Sequence, residues 1–61
     1  MKKTVREWRK LRKIKRQELA DALGISINTY IARELHPQRF RIADIEPLTK
    51  KLEVNYEDII F

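Results

Sequence analysis

Cysteine is absent from the 61 residues, and glycine, methionine, tryptophan and histidine each occur once. Without cysteine there is neither a disulfide frame nor a thiolate metal site. A single histidine, His36, leaves histidine-based metal sites and serine–histidine–aspartate chemistry almost nothing to draw on. There is no Gly-rich phosphate loop and no H-E-x-x-H. These gaps all but exclude an enzyme and predict no cofactor and no small-molecule substrate. No apolar run approaches the roughly 20 residues of a membrane span, and the basic start lacks the apolar stretch of a signal peptide. A cytoplasmic protein with no membrane partner is therefore expected. One glycine and two prolines leave few turns, which favours helices. The length suits one small domain over residues 1–61, of a size that buries only about 60% of its unfolded surface.

Charge is plentiful and unevenly placed. Residues 1–16 hold nine bases against one acid, Glu7, a net +8; residues 17–61 hold five bases against eight acids, a net −3. A solvated helix face carries such charge too, and a membrane-surface helix is a minor alternative because the apolar face here is narrow. The density favours a polyanion held by counterion release.

Thr4-Val5-Arg6-Glu7 has the form of a capping box. Behind it Val5, Trp8 and Leu11 recur on one face of a helix ending near Lys13, with Ile14 turned inward. Leu19, Ala20 and Leu23 fit a two-turn helix over 16–23, weakly started because Lys15 is a poor cap. Gly24 can take the left-handed conformation that stops it. Ser26 caps a third helix over 27–35, which Pro37 ends. Residues 36–41 read as a loop. Asp44 is placed to cap a fourth helix with Pro47 in its first turn and Ile45, Leu48 and Leu52 on one face. Asn55 caps a last short helix over 56–60. No segment alternates with period two, so no sheet is expected. The prediction is an all-α fold of five short helices around one core. Asp44/Glu46 and Glu57/Asp58 read as helix-start carboxylates, and His36 as an exposed loop residue.

Residues 16–35 carry the most information: a short helix, a turn with one glycine, and a second helix capped by serine form a helix-turn-helix arrangement. Ala20 is small where the next helix crosses, and Leu19, Leu23 and Ile25 hold the pair at a fixed angle. Gln17-Glu18-Leu19-Ala20-Asp21-Ala22-Leu23-Gly24-Ile25-Ser26 resembles the core of the phage repressor and Cro family (XRE type). Trp8-Arg9, Thr29-Tyr30, Glu34 and Leu52-Glu53-Val54-Asn55 extend the resemblance over about residues 4–60.

The resemblance implies a repressor-like domain that binds double-stranded DNA with the third helix in the major groove. It places Arg16 and Gln17 at phosphates and Ile27, Asn28, Ile31 and Ala32 at base edges, where Asn28 suits adenine N6 and N7. Thr29 can give its hydroxyl to a phosphate or a base. Arg39 and Arg41, in the loop that follows, suit flanking phosphates. Arg9 and Glu34 match a structural ion pair between the first and third helices. The resemblance also points to a homodimer, because one small module reads few base pairs and two half-sites lie about 34 Å apart. Tyr56, Ile59, Ile60 and Phe61 are candidates for the pairing surface.

Three departures from the family pattern stand out. Lys15 and Arg16 replace a hydroxyl cap and glutamine. Arg33 occupies a position usually held by a large apolar core residue and is expected to snorkel, with its head in water. The outward face of the third helix, Ile27, Ile31, Leu35 and Ala32, is almost wholly apolar. Three accounts of that face are open: the helix is rotated by about one residue, 100°; the side chains touch thymine methyls; or they meet another protein. The reading is a small sequence-specific transcriptional regulator, of the kind phages and their hosts use, with repression as the family's habit. The alternative is a protein-interaction module that binds another regulator through the apolar face of the third helix.

Overall fold

The computed structural model describes all residues from Met1 to Phe61. Two residues of strand, β1 (Lys3–Thr4), lead into α1 (Val5–Leu11); α2 (Arg16–Leu23), α3 (Ile27–Leu35) and α4 (Ile42–Leu52) follow, and β2 (Ile59–Ile60) closes the chain. Single 3-10 turns occupy Pro37–Arg39 and Tyr56–Asp58. The fold thus has four α-helices, one fewer than expected. The predicted last helix over 56–60 is a 3-10 turn followed by a strand, and the absence of sheet is corrected by a parallel β1–β2 pair, Lys3 opposite Ile59 and Thr4 opposite Ile60. Two residues per strand are too few to leave a period in the sequence.

The core is Val5, Trp8, Leu19, Ala20, Tyr30, Leu48, Leu52 and Ile59, with Ile14, Leu23, Ile25, Ile27, Phe40 and Val54 packed at its edge. The Trp8 indole N–H reaches the Asp58 carbonyl at 2.8 Å, so the one large aromatic of α1 fixes the C-terminal segment through its polar edge. Leu11, read from its spacing as inward, is exposed. Arg12 uses that end of α1 instead: its guanidinium lies over the Trp8 ring at 5.4 Å and donates to the Leu52 and Glu53 carbonyls at the end of α4. A cation there suits the negative end of the helix dipole.

The capping box at Thr4 and Glu7 is present in full. The fourth helix starts earlier than expected. Arg41, not Asp44, is its flanking residue; Asp44 sits one turn in and reaches back to accept from the Arg41 amide at 2.9 Å. Pro47 consequently lies inside α4 rather than in its first turn. The Ala43 carbonyl then has no proline N–H to accept, and Ala43 is exposed to solvent.

Three helices end in the same way. Lys13 (φ 58°), Gly24 (φ 70°) and Glu53 (φ 59°) take the left-handed conformation after α1, α2 and α4. In each case the next amide bonds a carbonyl five residues back: Ile14 to Arg9, Ile25 to Ala20 and Val54 to Thr49. Only the middle one carries glycine, so only that stop was visible in the sequence. A Cβ at Gly24 would meet nothing within 4 Å, leaving backbone strain as its whole cost. Gly24→Ala should therefore destabilise by about 1–2 kcal/mol in chemical denaturation. Lys13→Gly should move the other way, by up to about 1 kcal/mol once the extra freedom of the unfolded chain is subtracted.

Candidate nucleic-acid interface

Serine and turn chemistry position the third helix. Ser26 Oγ accepts from the Thr29 amide at 3.2 Å and donates to Thr29 Oγ1 at 2.9 Å, fixing the first turn of α3. The helix then turns Tyr30, Arg33 and Glu34 inward. Three ion pairs hold that orientation. The buried Glu34 carboxylate receives Arg9 Nε of α1 at 2.8 Å, Arg16 Nε of α2 at 3.2 Å and the Tyr30 hydroxyl at 2.6 Å. Arg33 Nη1 meets Asp44 Oδ2 of α4 at 2.7 Å, both side chains being nearly enclosed. Arg33 is therefore not a snorkelling surface residue: its head is paired, because the Asp44 carboxylate lies beside it. No buried side-chain polar atom is left without a partner.

This arrangement removes the rotated-helix account of α3. A rotation of 100° would pull Glu34 from two arginines and bury Leu35, which is 62% exposed. Of the predicted apolar face, Ile27 packs at the edge of the core, Ile31 and Ala32 are half-buried, and Leu35 faces water. Ile27 is thus turned inward at the helix start, unlike the others.

Five of the nine candidate contact residues come together. Asn28, Thr29 and Ala32 of α3, with Arg39 and Arg41 of the following segment, line one open cleft of about 510 Å³, floored by Arg33. Asn28, Thr29, Arg39 and Arg41 are exposed. Arg16 and Gln17 lie apart at the start of α2 and are partly committed: Arg16 to Glu34, and Gln17 Nε2 to Asp21 Oδ1 at 2.8 Å. Arg16 keeps its side chain 41% exposed, so its remaining N–H groups face solvent. Of the nine bases in residues 1–16, Arg9 and Arg16 pair with Glu34 and Arg12 caps α4. Lys2, Lys3, Arg6, Lys10, Lys13 and Lys15 form no ion pair. Arg33, paired with Asp44, also lines the cleft and was not among the residues read from the sequence. Its partner lies 11 positions away, beyond any local pattern.

A family model described as helix-turn-helix matches residues 5–59. The chain belongs to the XRE-type helix-turn-helix family of DNA-binding regulators. No curated protein and no solved structure matches it. No helix is long and apolar enough to cross a membrane. In this XRE-type domain the turn between α2 and α3 is the Gly24 stop followed by the Ser26 cap, the two features that the sequence marked.

Burial alone would raise the Glu34 carboxyl. The hydrogen bonds from Tyr30 and Arg9, the Arg9 charge and the Arg16 bond outweigh it and hold the carboxyl below its ordinary range. Burial, and then the Glu34 acceptor, push the Tyr30 phenol above its own range, so it remains a donor. Because the folded value of Glu34 lies below the unfolded one of about 4.5, its contribution is complete above that pH and is lost as pH falls through the folded value. Glu34→Gln should cost about 3 kcal/mol at neutral pH by stranding the Arg9 charge. Denaturation curves of the parent and variant should converge as the pH is lowered below about 4.5.

Proposed function

We propose that the protein is a sequence-specific transcriptional regulator that sets α3 in the DNA major groove. The cleft that unites Asn28, Thr29, Ala32, Arg39 and Arg41 carries this reading. α3 contributes side chains able to pair with base edges, and the segment after it contributes two guanidiniums that form no ion pair and suit phosphates. Arg16 and Gln17, at the start of α2, meet the backbone on the far side, where the helix N-terminus adds its own attraction for an anion. Ile31 and Ala32 complete the base-facing surface. The unpaired bases of residues 1–16 supply long-range attraction.

The salt dependence of binding tests this. With about four to six phosphates neutralised, the slope of log affinity against log salt should lie near −4 to −5 on duplex DNA. Arg39→Ala or Arg41→Ala should each reduce its magnitude by about 1. Affinity that does not change between low and moderate salt would contradict DNA binding.

Self-association through the C-terminal side completes the proposal. Pro37, Phe40, Ile42, Ile45, Tyr56 and Phe61 line an apolar groove of about 390 Å³, and Ile42 is 93% exposed. Phe61 stacks on Tyr56 at 5.7 Å and meets the edge of Phe40 at 5.9 Å, so the groove wall is preformed. Arg41 borders both this groove and the polar cleft, so a second copy seated there brings a second α3 alongside the first. Of the pairing residues read from the sequence, Tyr56 and Phe61 line the groove, whereas Ile59 is core. Sedimentation velocity should show a concentration-dependent dimer that Ile42→Lys converts to monomer with its melting temperature retained. A parent that stays monomeric both alone and on DNA would contradict the dimer.

A further inference from the structure

Guanine presents two acceptors in the major groove, O6 and N7, and is best read by a long cation. On α3 no cation is available for that. The only arginine of the helix, Arg33, is held by Asp44 at 2.7 Å with its side chain 11% exposed. The remaining outward positions are Asn28, Thr29, Ile31, Ala32 and Leu35. Asn28 is exposed at the cleft rim and its amide bonds no group of the protein, so it offers one acceptor and one donor edge together. That pair matches the N6 donor and N7 acceptor of adenine. Thr29 Oγ1 already accepts from Ser26, which leaves its own proton for a phosphate or base acceptor. Ile31 and Ala32 offer only methyl groups, and thymine is the one standard base with a methyl in the major groove.

We infer that the base pairs beneath α3 in the preferred half-site are A·T pairs, with adenine read by Asn28 and thymine methyls by Ile31 and Ala32. The inference rests on the proposed placement of α3 in the major groove. It also explains why Arg33 can be withdrawn into an ion pair without loss of recognition: a helix that reads A·T pairs needs no outward guanidinium. Arg39 and Arg41 line the same cleft from the segment after α3, off the helix, and are assigned to flanking phosphates.

Selection from a random duplex library, followed by fluorescence anisotropy on the enriched duplex, tests it. The enriched half-site should centre on A·T pairs. Replacing its thymines by uracil, which removes only the methyl, should weaken binding by roughly fourfold for each contacted methyl, the worth of one buried methylene. Asn28→Ala, at an exposed position without intramolecular bonds, should keep the melting temperature and lose about tenfold of the preference for adenine over guanine at one position. Enriched sites centred on G·C pairs, or equal affinity for the thymine and uracil duplexes, would overturn the inference while DNA binding itself stood. Failure to bind any duplex at low salt would overturn the DNA reading beneath it.

Discussion

One carboxylate holds three helices in register. Glu34 is carried on α3, accepts from Arg9 of α1 and Arg16 of α2, and is completed by Tyr30 one turn earlier on its own helix. A carboxylate this enclosed is tolerable only with its lone pairs filled by charged or strong donors. Moving any of the three helices by a residue empties at least one of those positions. The cluster adds little net stability over an apolar core of the same shape. What it supplies is a single allowed orientation for α3.

The consequences run outward from there. With Tyr30, Arg33 and Glu34 turned inward, Asn28, Thr29, Ile31 and Ala32 are left for the opposite side. Arg33 draws in Asp44, and Asp44 in turn holds the Arg41 amide at the start of α4. The same carboxylate that neutralises Arg33 therefore positions the backbone from which Arg41 borders the cleft. Arginine is divided between two tasks. Arg9, Arg12 and Arg33 bind elements of the fold together, Arg16 pairs with Glu34 while staying 41% exposed, and Arg39 and Arg41 form no ion pair beside Asn28.

Much of this was legible in the residues. Thr4 with Glu7, Gly24, Ser26, and the apolar sets Leu19–Ala20 and Leu48–Leu52 marked their helices because each signal is local and its physical cause acts within one or two turns. The Arg9–Glu34 pair was reached only through family resemblance. What stayed hidden was of two kinds. Lys13 and Glu53 end their helices in a conformation for which their side chains give no sign. The Arg33–Asp44 pair, the Arg12 cap on α4 and the two-residue strand pairing of the termini depend on partners brought close only by the finished fold. In the candidate interface, five of the nine residues read from the sequence line one cleft, while Arg16, Gln17, Ile27 and Ile31 do not. Only the packing of Glu34 decided which face of α3 borders it, and with that the inward turn of Ile27.

The account depends on the face of α3 opposite Glu34 being the one that meets DNA. Amide chemical-shift mapping of the folded chain titrated with duplex DNA tests this most directly. The largest shifts should fall at Arg16, Gln17, Asn28, Thr29, Ile31, Ala32, Arg39 and Arg41, with Leu48 and Leu52 of the core unmoved. Shifts confined to Ile42, Tyr56 and Phe61, or spread along Arg6 and Lys10 of α1 with α3 silent, would contradict it.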